Sequence, residues 1–483
     1  MKDACLSSKY DVIILIAGRI SQLLYSFLAI KLLTNMLPVG EVGVYYLLIS
    51  TIVFVSMVLV APVGSYHTKN LNHIHEKNYL FSSFFAFAIY IVVAIILILP
   101  FLYWYLESSE SIDMSFFPIF SLITIELIFG TISATVINSF NMIFHRVRFV
   151  VYMNIVLFLG LLLALCFVQY FEFSAWYWLL GISLAKAIAT FFVVLDFKRL
   201  FCCKVNFKYI RVVLFSRKQL LKTTKYCMPI LIGALATWSQ TNYYRFYTSE
   251  YFDLSVLAYL SLGFAIATNL FSALESLINQ YFMPYLYKAV SDKNVNRDEV
   301  FSLVFNSLIP IYLAFAIFLM YFSPLVIKLI ASTEYSESYI YMLFGIGIEL
   351  VRVVTRLLTH VFYIESCTKS GMLASVFGGS LVILLLTFSV NIITNEIILI
   401  PIYLLFGASA SLIIVLLKLR RLVKINFNIT NFITVSLFSL CLYLIPFSLD
   451  EGLFYYALFI AIAFCYFIGI QYYFNKSIFS KLA

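Results

Sequence analysis

Long apolar runs alternate with short polar stretches from one end of the chain to the other. A bilayer core about 30 Å thick takes about 20 apolar residues as one helix. Runs of that kind recur fourteen times, at 11–33, 42–62, 79–104, 114–140, 149–170, 174–196, 224–247, 254–281, 300–322, 338–364, 372–394, 396–417, 431–449 and 452–474. The pattern predicts an all-α polytopic membrane protein of about fourteen spans. The narrow gap at 391–396 leaves open a re-entrant pair in place of two spans. The first run carries Arg19 and Lys31 and lacks a small-x-small cleavage site, so it is expected to stay as helix 1 rather than leave as a signal peptide.

The polar stretches alternate in charge. One set is the N-terminus, the loops 63–78, 141–148, 197–223, 282–299, 365–371 and 418–430, and the C-terminus. It holds 25 of the 32 Lys and Arg residues, nine of them between Lys198 and Lys225. The other set holds Lys328 alone and is acidic, with Glu41, Glu107, Glu172, Glu250 and Glu337 among its residues. Basic loops stay in the cytoplasm, so both termini are expected there. Omitting a single span would invert every later loop and destroy the alternation.

Composition narrows the class. Hydrophobic residues make up 63% and charged ones 11% of 483 residues, against about 25% charged in an average soluble domain. Mean hydropathy is +1.00. A water-soluble enzyme, a nucleic-acid-binding domain and a disordered chain are thereby excluded. The net charge of +9 follows from the basic loops and implies no nucleic acid partner. No loop is long enough to house a catalytic domain, so recognition is expected within the membrane and no enzymatic activity is expected. The eight cysteines fall in spans or basic loops, and no disulfide is expected. His67, His73 and His75 cluster in the first basic loop, where a solvated loop is favoured over a metal site. No zinc spacing, P-loop or Gly-rich nucleotide motif is present, and no cofactor is implied.

Domain boundaries follow the basic loops. An N-terminal six-helix bundle over 1–196 and a basic cytoplasmic linker over 197–223 precede a second six-helix bundle over 224–417. A basic loop and two extra spans fill 418–483. A faint repeat relates Leu33–Tyr45 to Phe246–Tyr259: each has an apolar helix end, an acidic turn, then a small residue and Tyr. Duplicated halves are a common transporter plan, with the substrate site between them.

Charges inside the spans are costly and need explanation. The bases are Arg19, Lys31, Lys186, Arg245, Arg352 and Arg356, and the acids are Glu126, Glu275 and Glu349. Lys31 and Arg245 lie near span ends, where a long side chain can snorkel. Glu349, Arg352 and Arg356 share one stripe of their helix. Internal salt bridges would account for three bases at most. With Lys31 set aside, two are left over, and surplus cations point to an anionic ligand. Guanidinium matches phosphate oxygens in a bidentate fork. Arg19, Lys186, Arg245, Arg352 and Arg356 are therefore candidate pyrophosphate or anion ligands. Trp238, Gln240, Asn242, Asn269 and Asn279 are candidate sugar-binding residues.

Fourteen spans, cytoplasmic termini and a basic loop after span 6 resemble the polysaccharide transporter family of the MOP (MATE-like) flippase superfamily. The local match is the first hairpin. It comprises Gly18-Arg19 and the Leu-Pro-x-x-Glu-x-Gly-x-Tyr turn of Leu37, Pro38, Glu41, Gly43 and Tyr45. Arg245 sits where members often carry an Asp-Arg pair, although Tyr244 precedes it here. The resemblance implies a Wzx-type O-antigen flippase of a bacterial inner membrane. Such proteins move undecaprenyl-pyrophosphate-linked oligosaccharide repeat units from the cytoplasmic to the periplasmic leaflet. Implied partners are that lipid-linked substrate, membrane lipid and other polysaccharide-assembly proteins such as a polymerase. Glu126, Glu275 and Glu349 become candidates for coupling to a proton or sodium gradient. Spans 13 and 14 either hold the lipid tail or only pack. A MATE-type multidrug antiporter, a lipid II flippase and a membrane glycosyltransferase or O-antigen polymerase are the competing readings. The basic excess disfavours the antiporter, and the short outer loops disfavour the polymerase.

Overall fold

The computed structural model describes residues 9–76, 79–108, 116–142, 145–201, 205–291, 296–365, 367–389 and 396–440. The fourteenth predicted span, the end of the thirteenth and most of the 391–396 gap lie outside them. The described residues are mostly helical, and no strand occurs among them. By internal packing the chain divides into two units, Met1–Ala258 and Tyr259–Ala483.

The first unit contains α1 (Lys9–Met36), α2 (Val39–Val55), α3 (Ala61–Glu76), α4 (Leu80–Ser108), α5 (Phe116–Ile125), α6 (Thr131–Met142), α7 (Arg146–Tyr170), α8 (Ala175–Phe201), α9 (Phe207–Phe215), α10 (Arg217–Thr241) and α11 (Tyr243–Tyr251). A π-helical turn at Ser56–Val60 joins α2 to α3, and another at Glu126–Gly130 joins α5 to α6. The start of α12 (Leu254–Ser291) also belongs here. The second unit holds the rest of α12, with α13 (Arg297–Ile330), α14 (Ser338–Ile364), α15 (Thr368–Phe388), α16 (Leu399–Leu419) and α17 (Ile429–Leu440).

Ten helices among the described residues are long and apolar enough to cross a membrane. The chain is a multi-pass membrane protein. Predicted spans 7 and 10 are helical but fall outside that set, because they carry the polar and charged side chains that the sequence singled out. Span 7 is two helices, α10 and α11, broken at Asn242 (φ −130°, ψ −20°).

Two expectations about loops are corrected. Residues 63–76 continue as α3 instead of forming a loop. Their polar residues do not interrupt the helix, because one face still buries Leu71 and Ile74 against Phe84 and Phe140. His67 is accordingly not in a solvated loop. It is 7% exposed, its ring 4.8 Å from Phe84 and 5.6 Å from Phe87. The 197–223 segment is largely helical as well. The Asn206 side chain caps α9 by accepting from the Tyr209 N–H at 3.1 Å, and the Asn206 N–H donates to Ser82 Oγ at 2.8 Å.

The first hairpin explains its own motif. Glu41 Oε2 accepts the Ala175 N–H at 2.7 Å, placing a carboxylate at the start of α8, where the helix dipole favours it. Gly43 lies against the Leu254 carbonyl, where a Cβ would collide with backbone. The two segments related by the faint repeat therefore touch each other. In the second unit Gly263 makes a comparable approach to Ser338 and Met342 of α14, with the Ser338 carbonyl 2.7 Å from where its Cβ would stand. The Asn306 amide fixes the segment before α17: it donates to the Asn426 carbonyl at 2.7 Å and accepts from the Asn428 N–H at 2.8 Å.

Candidate functional site

Both π-turns open onto one cavity of the first unit, about 690 Å³ in volume. A π-turn inserts one extra residue into a helix and is frequent at functional sites. Here Ser56 and Val60 of the first turn, and Glu126, Leu127 and Gly130 of the second, contribute to the wall. The aliphatic cluster of Val55, Val60, Ile91, Ile123 and Leu127 holds the two turns together.

Glu126, the first residue of its turn, forms an ion pair with Lys186 of α8. Its other oxygen accepts from Ser183 Oγ at 2.9 Å. The pair is mostly buried, with side-chain exposures of 11% and 27%. Gly130 leaves room for it: a Cβ there would stand 3.3 Å from Lys186 Cδ and 3.4 Å from Glu126 Oε1. Hydroxyls make up much of the remaining polar wall. Ser65, Thr68, Thr135 and Ser139 each donate to the carbonyl four residues back, which leaves their lone pairs for a ligand's donors.

The break between α10 and α11 sets Arg245 in place. Its N–H groups donate to Tyr244 Oη at 3.0 Å, Ser50 Oγ at 2.9 Å and Asn242 Oδ1 at 3.3 Å. Its guanidinium carbon lies 5.2 Å from the Tyr46 ring centre and 5.5 Å from that of Tyr244. Every one of these partners is neutral. Arg245 is 9% exposed, so it is not snorkelling out of the fold. Among the described residues no carboxylate forms an ion pair with it.

Arg19 of α1 is a second such cation. Nη1 donates to Gln22 Oε1 at 3.0 Å, while Nε is buried without a hydrogen-bond partner among the described residues. Gln22 Nε2 is likewise unsatisfied. Gly18 brings α1 close to Val150 of α7, and the Ser21 hydroxyl lies 2.7 Å from Asn154 Oδ1.

In the second unit the charged stripe of α14 is internally paired. Arg352 Nη1 lies 2.7 Å from Glu349 Oε1, and Arg356 Nη2 lies 2.9 Å from Glu275 Oε2 of α12 and 3.6 Å from Glu349 Oε2. Thr268 Oγ1 donates to Glu349 Oε1 at 3.1 Å. The three in-span acids pair with Lys186, Arg352 and Arg356. With Lys31 set aside as in the sequence reading, Arg19 and Arg245 have no carboxylate in an ion pair among the described residues.

The polar residues assigned to sugar divide between units. Trp238 donates its indole N–H to the Ser50 carbonyl at 3.2 Å and sets its ring edge-on to Phe54 at 4.8 Å. Asn242 donates to Thr241 Oγ1 at 2.8 Å while accepting from Arg245, and Gln240 is buried. These three belong to the helix break and its seat on α2. Asn269 and Asn279 are half-buried on α12. The hydroxyl wall of the cavity was not singled out from sequence. Its signal is the recurrence of Ser and Thr at helical spacing on α3 and α6. Lys31 is half-buried on α1.

No protein-family model matches the sequence, and no curated protein matches it. Solved structures do match the fold. The lipid II flippase MurJ in an inward closed conformation superposes with a TM-score of 0.71 at 14% identity, covering 98% of this chain and 100% of its own. A multidrug resistance MATE family transporter of the MOP superfamily in an outward-facing conformation gives 0.58 at 14% identity, covering 85% and 94%. An inward-facing MATE family transporter gives 0.55 at 14% identity, covering 84% and 98%. The chain has the fold of the MOP superfamily transporters.

Proposed function

We propose that the protein is a flippase for undecaprenyl-pyrophosphate-linked oligosaccharide repeat units, of O-antigen or a similar polysaccharide. It carries them from the cytoplasmic to the periplasmic leaflet of a bacterial inner membrane by alternating access of two six-helix bundles, 1–196 and 224–417. The observation that carries the reading is the pair Arg19 and Arg245, two cations set in helices without a carboxylate among the described residues. A diphosphate supplies the missing negative charge, and guanidinium fits its oxygens. The likeness to a lipid II flippase extends over 98% of this chain, against about 85% for the MATE transporters. That difference favours a lipid-linked substrate over a small cationic drug.

In this reading Arg19 and Arg245 are the first anion ligands, with Lys186, Arg352 and Arg356 available when their glutamates are protonated. The Ser and Thr wall of the first-unit cavity and Asn269 and Asn279 of α12 meet the sugar. Glu126, Glu275 and Glu349 are the coupling carboxylates for protons or sodium. Residues 418–483 add the two spans that a lipid tail can follow, and both termini face the cytoplasm. The substrate arrives from the glycosyltransferases that build it, and a polymerase receives it.

The second reading is lipid II itself as cargo, favoured by the same fold match. Proteoliposomes holding the purified protein and a fluorescent lipid-linked oligosaccharide test both. Flipping of an O-unit-type substrate in preference to lipid II, lost in Arg19→Ala, supports the proposal. Equal or better flipping of lipid II, or no loss in Arg19→Ala, refutes it.

A further inference from the structure

A cavity of 680 Å³ lies between α3, α4, α9 and α10; α3 lends it a different set of residues from those it gives the polar cavity, and Phe87 borders both. Its wall changes character along its length. One end is apolar, with Val58, Leu59, Met228 and Leu231. The other carries Asn70, Gln219, Lys222 and the stacked Tyr79–Tyr209 pair, whose centroids are 4.8 Å apart. Gln219 Nε2 donates to Tyr66 Oη at 3.1 Å, closing that end between α3 and α10. Between the two ends stands His67, buried, with both ring nitrogens lacking a partner among the described residues. A buried imidazole with neither nitrogen satisfied is costly, so His67 calls for a polar group beside it.

The helix at its mouth shows where that end lies. Phe207, Val212 and Phe215 of α9 are 73%, 51% and 76% exposed, while Lys208 and Arg211 share the same short helix. Apolar and basic groups side by side on an exposed helix are the mark of an interfacial segment that rests among lipid headgroups. Lys222 is exposed at this mouth, with Arg217, Lys218 and Lys225 near it on α10. From Leu59 in the first π-turn to Ile74 of α3 the lining runs for about 22 Å, enough for a chain that spans one leaflet of about 15 Å together with the start of its headgroup.

We propose that this cavity holds one acyl chain of an anionic phospholipid from the surrounding membrane, with the phosphate at Lys222, the ester carbonyl at His67 and the chain running toward Leu59 and Leu231. The polarity gradient, the basic mouth and the unsatisfied histidine are all explained by that one ligand. A polyprenyl chain has no ester to offer His67. The inference does not depend on what the protein transports.

Photocrosslinking of the purified full chain in phosphatidylcholine nanodiscs provides the test. The probe is a trace of phosphatidylglycerol with a diazirine near its acyl terminus, and the crosslinks are mapped by peptide mass spectrometry. Labelling is expected on 58–63 and 228–231, displaced by excess unlabelled phosphatidylglycerol but not by phosphatidylcholine. Lys222→Glu should lower it about tenfold, since a lysine beside the phosphate is replaced by a repelling charge. Lys222 is exposed, so this variant does not depend on repacking a core. His67→Phe keeps the ring and removes the nitrogens, and is expected to weaken labelling at unchanged melting temperature. Displacement by inorganic phosphate alone, stronger displacement by undecaprenyl phosphate, equal displacement by phosphatidylcholine, or full labelling of Lys222→Glu would each overturn the proposal.

Discussion

The Arg245 guanidinium donates to the Ser50 hydroxyl at 2.9 Å, across 195 residues of sequence. Ser50 also gives its carbonyl to the Trp238 indole, so one fully buried serine on α2 holds both sides of the break between α10 and α11. Arg245→Lys keeps the charge but cannot reach Ser50, Tyr244 and Asn242 together. It is expected to cost about 1–3 kcal/mol, and Ser50→Ala about 0.5–1.5 kcal/mol. Thermal unfolding in detergent measures both, and an Arg245→Lys protein as stable as the parent would show that the break is held by other contacts.

Glu126 and Lys186 are expected to behave as a unit. Breaking a buried pair leaves a charge uncompensated, at about 3–5 kcal/mol when burial is complete. The 27% exposure of Lys186 reduces this to about 1–4 kcal/mol. Glu126→Gln and Lys186→Met should each destabilise, and the double variant should recover most of the loss. Additive losses in a double-mutant cycle would argue against the pairing.

Gly43 and Gly40 stand three residues apart at the start of α2 and face different surroundings. A Cβ at 43 would collide with the Leu254 backbone, whereas nothing lies within 4 Å of one at 40. Gly40→Ala is expected to be neutral or stabilising by up to about 1 kcal/mol, as helix propensity favours alanine. Gly43→Ala is expected to lower the melting temperature and the yield. Identical behaviour of the two variants would mean that the hairpin does not seat on Leu254.

Much of this was legible in the chain and some was not. Ten of the fourteen spans follow from the apolar runs, and counting charges shows that three in-span acids cannot serve all six in-span bases. The partners of each charge do not: Glu126 and Lys186 are 60 residues apart, and only packing of α8 on the second π-turn brings them together. The α14 stripe was legible as a shared face, but its pairing with Glu275 needs α12. The π-turns left no trace, since one residue more in an apolar run lies within the ordinary spread of span lengths. The break at Asn242 did leave one, a Thr-Asn step in a helical pattern, but such steps also occur in unbroken helices.

Glu349 holds Arg352 and Arg356 at once, and its protonation would release a unit of positive charge on α14. In proteoliposomes, Glu349→Gln is expected to bind lipid-linked pyrophosphate more tightly and to lose most of its response to an imposed proton or sodium gradient. An unaltered response would remove Glu349 from the coupling scheme.

Orientation has a direct test. The concentration of basic residues in alternate loops predicts that a C-terminal fusion to a cytoplasm-active reporter works and that a periplasm-active one stays silent. The reverse result would mean that a span is miscounted or that the chain is inverted.

The π-turns at 56–60 and 126–130 give two membrane helices one residue more than a regular α-helix of the same rise would hold. That residue acts as slack in a cable. If the bulge migrates along its helix, each side chain it passes turns by about 100° about the axis while the ends stay anchored. Glu126 sits at the edge of one bulge and Ser56 at the edge of the other, so a small displacement can turn either toward or away from the cavity without moving the rest of the bundle. Excising one residue from either turn would take up the slack and fix a single orientation, a lock that requires no change in the charges themselves.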